Sequence, residues 1–311
     1  MEQRGGGPRV TMKPSTVRAR VLIVGGGTMG RGIAALTALA GYPTALYEAD
    51  AGRRAGLRSS IEDSWRRAVE KGKLSPEAAE AGKRLLEIPN RLDEAARAEL
   101  AIEAVPEDLE LKRRVFAELE GLCAATALLA SNTSALSIGE IADATRAPER
   151  VVGLHFFNPV SVMPLVEVIR GKATSAETVE RAASFAESLG KRAIRVADAP
   201  GFATSRLGVA LGLEAMRMVE EGVASASDID QAMELGYGHR MGPLKTSDLV
   251  GLDVRLAIAE SLAAALDRRR FEPPAILRRM VADGKTGQKS GEGFYRWDGG
   301  QARPPEGGRK V

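Results

Sequence analysis

The sequence predicts two domains, a doubly wound α/β sheet followed by an all-α domain, and three observations carry that prediction. Strand-like and helix-like segments alternate over about 180 residues, the pattern of an open, mostly parallel sheet. A glycine-rich turn, Gly25-Gly26-Gly27-Thr28-Met29-Gly30, joins the first strand to the first helix. After Asp198-Ala199-Pro200-Gly201 the alternation stops, and helical segments follow with no convincing strand between them. A chain of 311 residues accommodates two domains of about 150 each. The expected division is a mobile Gly- and Arg-rich tail over 1–18, an α/β domain over 19–199 and a helical domain over 200–311.

The elements follow in order. Val21-Leu22-Ile23-Val24 is a short apolar run suited to a strand buried on both faces of a parallel sheet. The segment from Met29 to Ala40 is small, apolar and helix-like, with Gly41 placed to cap its C-terminus. Thr44-Ala45-Leu46-Tyr47 reads as a second strand, and residues 53–71 as a long polar-apolar helix. Ser75-Pro76 opens another helix, with Ser as N-cap and Pro at the first helical position. Leu100 to Val105 reads as a strand, Leu109 to Leu122 as a helix and Ala127 to Ala130 as a strand. Val151 to Leu154 and Leu165 to Ile169 are further strands, Thr174-Ser175 caps a helix reaching Leu189, and Ala193 to Val196 is the last strand. Beyond the boundary, Phe202 to Glu221, Ser227 to Leu235 and Val250 to Leu266 read as helices.

Composition removes several functional classes. The longest uninterrupted apolar run, Leu262 to Leu266, is far short of the ~20 residues that span a bilayer. The opening residues, Met1 to Pro8, lack the apolar core of a secretory signal, so a cytoplasmic location away from membranes is expected. The 44 Lys and Arg are interspersed with 41 Asp and Glu, for a net charge of +3; that is a solvated surface, and no nucleic-acid partner is expected. A lone cysteine, Cys123, excludes an internal disulfide and a cysteine-based metal site. Two histidines, His155 and His239, are the whole supply of imidazole.

The glycine loop satisfies G-x-G-x-x-G in the context that gives the pattern meaning, after a strand and opening a helix. Gly25 permits the tight turn, Gly27 lets the backbone approach a pyrophosphate, and Gly30 allows close helix–strand packing. The amides of the first helical turn, at Thr28 and Met29, face the phosphates. A Rossmann-type dinucleotide site also needs a carboxylate about 20 residues on, at the end of the second strand, for the ribose hydroxyls. Glu48 occupies that place and would repel a 2′-phosphate, which favours NAD as cofactor. The alternatives are a surface acid at Glu48, with Asp50 close by, and a 2′-phosphate met by Arg53 and Arg54.

His155 falls where a strand gives way to a loop, in Gly153-Leu154-His155-Phe156-Phe157-Asn158-Pro159, and open α/β sheets place their ligands at such ends. Twelve residues later Glu167 interrupts the apolar run Leu165-Val166-Glu167-Val168-Ile169. A buried carboxylate needs a partner, and His155 is the natural one if the two segments run side by side. Such a pair suits proton transfer: the carboxylate holds one imidazole N–H and leaves the other nitrogen as base. The alternative is a structural histidine, with Glu167 facing solvent on an alternating strand.

Taken together, these segments resemble the L-3-hydroxyacyl-CoA dehydrogenase family, of the 3-hydroxybutyryl-CoA dehydrogenase type. The resemblance runs in order through Gly25–Gly30, Glu103-Ala104-Val105-Pro106-Glu107, Ser131-Asn132-Thr133-Ser134, His155–Pro159, Leu165–Val168, Pro200-Gly201-Phe202, Met241-Gly242-Pro243 and Gly291-Glu292-Gly293-Phe294-Tyr295. It implies NAD-dependent oxidation of a 3-hydroxyacyl-CoA to the 3-oxoacyl-CoA. His155 resembles the catalytic base, Glu167 the carboxylate that orients it, and Ser134 the serine that hydrogen-bonds the substrate oxygen. Asn158 resembles a residue that holds the thioester end. Glu107 and Lys112 match positions near the nicotinamide ribose, Asn132 borders the same pocket, and Arg58 is the candidate for the CoA phosphates. A homodimer through the helical domain, with the chemistry in a cleft between the domains, is part of the same expectation.

Two departures stand out. The family pattern Pro-Gly-Phe-x-x-Asn-Arg appears here as Pro200-Gly201-Phe202-Ala203-Thr204-Ser205-Arg206, so Ser205 replaces an asparagine that contacts substrate. Arg240 stands where a proline usually precedes Met-Gly-Pro, beside His239, for which the sequence offers no carboxylate partner. A dehydrogenase acting on a hydroxy acid without CoA, or a non-catalytic cofactor-binding or structural dimer, are the competing readings.

Overall fold

The computed structural model describes residues 18–304, so all but the last residue of the expected tail lies outside the described residues. Two compact units meet in sequence at Asp198 and Ala199. The first contains, in order, β1 (Val21–Val24), α1 (Thr28–Leu39), β2 (Thr44–Tyr47), α2 (Ala51–Ala55), α3 (Leu57–Glu70), α4 (Pro76–Leu85), β3 (Leu86–Glu87), β4 (Leu100–Glu103), α5 (Leu109–Leu122), β5 (Leu128–Ser131), α6 (Ile138–Ala142), β6 (Val151–Phe156), β7 (Leu165–Arg170), α7 (Ala176–Ser188) and β8 (Arg192–Ala197). The helix expected over 53–71 is broken at Gly56 into α2 and α3, with the Asp50 side chain capping α2 through Arg53 N.

One eight-stranded sheet runs in the order β3-β2-β1-β4-β5-β6-β7-β8. The order reverses between β1 and β4, the place where open α/β sheets leave a crevice at their carboxyl ends. All neighbours pair in parallel except β6 and β7, which are antiparallel. Their connection, residues 157–164, is too short for a parallel crossover, which takes a dozen residues or more. Alternation along the strands gives the sheet two apolar faces. Val21, Ile23, Leu46, Ile102, Ala130, Val152 and Leu154 pack with α1, α3, α4 and α7. The intervening Leu22, Ala101 and Leu129 are also buried, and α5 and α6 lie against strands β4 to β6. Burying each Leu or Ile contributes about 1.5–3 kcal/mol, and that burial fixes the strand ends.

The second unit is helical: α8 (Thr204–Glu220), α9 (Ala226–Gln231), α10 (Pro243–Val250), α11 (Leu252–Ala265), α12 (Arg268–Phe271) and α13 (Ala275–Ala282). A small antiparallel hairpin, β9 (Arg296–Asp298) with β10 (Gln301–Arg303), adds strands that an all-α domain does not include. Its core gathers Val209, Leu213, Met216, Leu244, Leu252, Leu262, Phe271, Leu277, Phe294 and Tyr295. Two buried carboxylates organise it. Asp230 accepts from Leu244 N and Lys245 N at the start of α10 and from the Tyr295 hydroxyl. Asp248 accepts from Phe294 N, Tyr295 N and Trp297 Nε1. The motifs at 241–243 and 291–295 are therefore the two ends of a structural clasp.

Candidate active site

The loop after β1 has the shape a pyrophosphate requires. Gly25 has φ of +110°, and a Cβ there would lie 2.5 Å from Ala104 O; a Cβ at Gly30 would lie 1.8 Å from Gly25 O. A Cβ at Gly27 would meet nothing within 4 Å, and α1 starts at Thr28 with no side chain capping it. The amides of its first turn are thus left for an anion. Glu48, just past β2, accepts from Gly26 N at 2.9 Å and Asp50 N at 3.0 Å. A carboxylate has about four lone-pair sites, so these two bonds fix it and leave capacity for a ribose diol. Asp50 is occupied in capping α2, and Arg54 donates to the Glu48 carbonyl at 2.6 Å.

A polar network crosses the carboxyl ends of β4 and β5. Glu103, fully buried, accepts from Lys112 Nζ and Val105 N, each at 2.7 Å, on Oε1 and from Ser131 Oγ at 2.7 Å on Oε2. Lys112 is only 1% exposed and also reaches Glu107 Oε2 at 3.2 Å and Val105 O at 3.3 Å. The other Glu107 oxygen accepts from Thr133 Oγ1 at 2.6 Å, Ser134 N at 3.0 Å and Ala135 N at 3.2 Å, with Ser134 Oγ at 3.4 Å. Burial pushes the Glu107 carboxyl up, but the Lys112 charge and these donors outweigh it and hold the pKa below the ordinary carboxylate value. Asn132 Oδ1 accepts from Phe156 N at 3.0 Å, which ties the end of β5 to the end of β6.

On that next strand, antiparallel register sets His155 directly opposite Glu167. His155 Nδ1 and Glu167 Oε2 are 2.8 Å apart, with Glu167 fully buried and His155 nearly so. Because the carboxylate can only accept, Nδ1 carries the proton, and Nε2 is the basic nitrogen. The Phe157 ring lies against the imidazole, with centroids 4.5 Å apart. The structural-histidine alternative included a solvent-facing Glu167, and the burial of that carboxylate removes this part of it.

Comparison with known proteins gives this arrangement a family. Residues 20–199 match the model for the 3-hydroxyacyl-CoA dehydrogenase NAD binding domain, and residues 201–297 match that of the C-terminal domain. The chain belongs to the 3-hydroxyacyl-CoA dehydrogenase family. A 3-hydroxybutyryl-CoA dehydrogenase of Mycobacterium tuberculosis is 44% identical over 279 residues, covering 89% of this chain and 97% of the relative. A probable 3-hydroxybutyryl-CoA dehydrogenase of Bacillus subtilis is 41% identical over 280 residues, covering 90% and 97%. Among solved structures, the (S)-3-hydroxybutyryl-CoA dehydrogenase of Ralstonia eutropha superposes with a TM-score of 0.86 at 34% identity, covering 90% of this chain and all of the other. Residues 20–199 of this dehydrogenase are therefore its NAD-binding domain.

The remaining expected site residues fall in several places. Asn158 is exposed in the loop after β6, and that loop is clamped by buried Lys191, which donates to Val160 O at 2.6 Å and Met163 O at 2.8 Å. Arg58 is exposed on α3, where its guanidinium donates to Leu86 O at 2.6 Å and to Glu62 at 3.3 Å. Ser205 is the second residue of α8, in the other unit. His239 is exposed there. The sequence reading missed Glu103, Ser131 and Lys191. A carboxylate interrupting the apolar run Leu100–Val105 was the signal for the first, of the kind that marked Glu167.

Proposed function

We propose that this dehydrogenase interconverts (S)-3-hydroxyacyl-CoA and 3-oxoacyl-CoA with NAD. His155 Nε2 takes the proton of the 3-hydroxyl, while Glu167 holds the Nδ1–H, fixes the ring and stabilises the imidazolium as it forms. Bound NAD supplies the hydride acceptor. Ser134 hydrogen-bonds the reacting oxygen, Asn158 holds the thioester end of the substrate, and Ser205 stands at the family's substrate-contacting position in the helical unit. Glu48 receives the ribose hydroxyls, and the amides at Thr28 and Met29 the pyrophosphate, with Gly25, Gly27 and Gly30 shaping the loop. Asn132, Glu107 and Lys112 line the same end of the sheet. The observation that carries this reading is the His155–Glu167 bond of 2.8 Å across paired strands, in a chain matched by both family models.

The relatives named for 3-hydroxybutyryl-CoA support a short acyl chain and a place in fatty-acid β-oxidation or related acyl-CoA catabolism. A homodimer through the helical unit belongs to the same reading, supported by the exposed apolar side chains Leu207, Leu211, Val250 and Val254 on α8, α10 and α11. A cytoplasmic location is assigned with it, since NAD and CoA esters are intracellular metabolites; among the described residues no helix is long and apolar enough to cross a membrane. The test compares NADH oxidation with acetoacetyl-CoA and with free acetoacetate. Turnover confined to the thioester is the expected result, and equal turnover of the free acid contradicts the CoA assignment.

A further inference from the structure

Helix α11 buries one stripe of side chains, Leu252, Arg255, Ala259 and Leu262, at the three- and four-residue spacing of a core-facing surface. Three of the four are apolar; the other carries a guanidinium and is 7% exposed. Among the described residues that guanidinium has no ion pair or hydrogen bond, and its Nε is buried without an acceptor. Burial lowers its pKa to about 10, so it remains a cation at neutral pH. A buried charge is costly unless an opposite charge and hydrogen bonds meet it. The neighbouring helix makes room for this one. A Cβ at Gly208 on α8 would lie 3.2 Å from Arg255 Nη1, closer than ordinary contact. Glycine inside a helix is unfavourable relative to alanine, and here it gives the guanidinium its place. Gly208 stands three residues after Ser205 in α8, one turn along the same helix face, and position 205 is the substrate-contacting position of the family pattern. The exposed Leu207 and Val254 each precede these residues by one position, and sequence neighbours do not share a helix face. The guanidinium therefore stands apart from the apolar surface assigned to the homodimer.

We propose that Arg255 is a specificity determinant that binds a carboxylate at the far end of the acyl chain, so that the preferred substrates are 3-hydroxyacyl-CoA esters of dicarboxylic acids. This rests on the reading of the chain as a 3-hydroxyacyl-CoA dehydrogenase and of position 205 as a substrate contact. The guanidinium presents planar, paired donors that match a carboxylate, and the mono-CoA ester of a dicarboxylic acid brings one in at its acyl terminus. The phosphates of CoA lie at the opposite end of such a substrate. An unsubstituted acyl chain brings no charge and leaves the cation desolvated and unpaired. A site built to hydrogen-bond a substrate group discriminates strongly against the analogue that lacks it.

The test measures kcat/KM for NAD reduction by the six- and eight-carbon 3-hydroxy dicarboxylic mono-CoA esters. Each is set against the neutral ester of equal length, 3-hydroxyhexanoyl-CoA or 3-hydroxyoctanoyl-CoA. In the wild type at least one charged ester is expected to exceed its neutral counterpart by about 10- to 100-fold. Arg255→Met removes the cation and keeps an unbranched side chain, and should bring that ratio to within about threefold of one. Arg255→Lys keeps the charge without the fork and should restore part of it. Ratios near one at both chain lengths in the wild type overturn the proposal, a comparison that does not depend on any variant folding. A ratio unchanged in Arg255→Met overturns it as well. Wild-type ratios near one, together with weakened self-association of Arg255→Met in sedimentation, would assign the guanidinium to a carboxylate of a second copy and equally overturn it. A wild type inactive with every ester counts against the proposed function instead. The calorimetric dissociation constants of the same esters then still report on Arg255: binding of the charged ester about tenfold tighter supports the proposal, and equal affinity overturns it.

Discussion

Glu167→Gln removes one charge from a buried position on β7 and almost no volume. In the native protein a fully buried carboxylate faces His155 Nδ1 at 2.8 Å, and the imidazole gains a full positive charge when Nε2 takes the substrate proton. Glutamine retains an oxygen that can accept from Nδ1, so the ring can keep its tautomer, but the charge-assisted part of the bond is lost. A hydrogen bond to a charged group contributes about 1.5–3 kcal/mol; its loss at a group that becomes imidazolium in the transition state puts the cost at about 2–3 kcal/mol, or roughly 30- to 150-fold in kcat. Glu167 touches no substrate in the proposed mechanism, so KM for acetoacetyl-CoA should move by less than about threefold. Its partner is left neutral when unprotonated, so the melting temperature should stay within a few degrees, at about 1 kcal/mol or less. Steady-state NAD reduction by 3-hydroxybutyryl-CoA measures kcat, acetoacetyl-CoA reduction by NADH measures that KM, and calorimetry measures the melting temperature. A well-folded Glu167→Gln enzyme with kcat within about twofold of wild type would show that no imidazolium in need of this carboxylate forms in the transition state.

Three further outcomes are expected. Glu48→Gln should raise KM for NADH by about tenfold and narrow the preference over NADPH, since a bond to a charged acceptor is lost and the repulsion of a 2′-phosphate with it; an unchanged NADH/NADPH ratio would remove Glu48 from the ribose site. Gly30→Ala places a Cβ 1.8 Å from Gly25 O, so it should destabilise the first unit by at least about 1–3 kcal/mol and weaken NADH binding, read by denaturant melts and fluorescence titration. Cys123 is 8% exposed, and burial pushes its thiol up to about 11 against a smaller opposing effect of Arg150. Its folded pKa lies above the unfolded value, so its contribution is complete below about pH 9 and lost as the pH rises to about 11, by about 2–3 kcal/mol. Iodoacetamide should accordingly label the native protein at about pH 8 far more slowly than the unfolded chain, and equal rates would contradict the burial.

Where periodicity and turn chemistry coincide, the sequence was readable. β1, the glycine loop and α1 declare themselves because a buried parallel strand is continuously apolar and a phosphate loop needs glycine at fixed offsets. The His155–Glu167 pair was readable for a different reason: a carboxylate between Val166 and Val168 demands a partner, and only two histidines exist to provide an imidazole. Other elements carried no such local signal. β3 is two residues long and α6 five, too short for any period to emerge. The antiparallel turn from β6 to β7 follows from the length of their connection, a geometric constraint that strand composition does not contain. Lys112 resembles any solvated helix lysine in sequence; only the register of α5 over the ends of β4 and β5 brings it between Glu103 and Glu107. The clasp at Asp230 and Asp248 joins residues up to 65 positions apart, and spacing alone does not reveal a contact of that range.

The proposed chemistry turns on His155 as the base of an NAD-linked 3-hydroxyacyl-CoA dehydrogenase. The most direct measurement is the first-turnover rate of NADH oxidation by acetoacetyl-CoA, at saturating concentrations of both, for wild type and His155→Ala. Wild type should oxidise NADH rapidly, and the variant should lose about 10²- to 10⁴-fold, the range that general acid–base catalysis supplies, with NADH binding retained. Oxidation by His155→Ala at the wild-type rate would contradict that role.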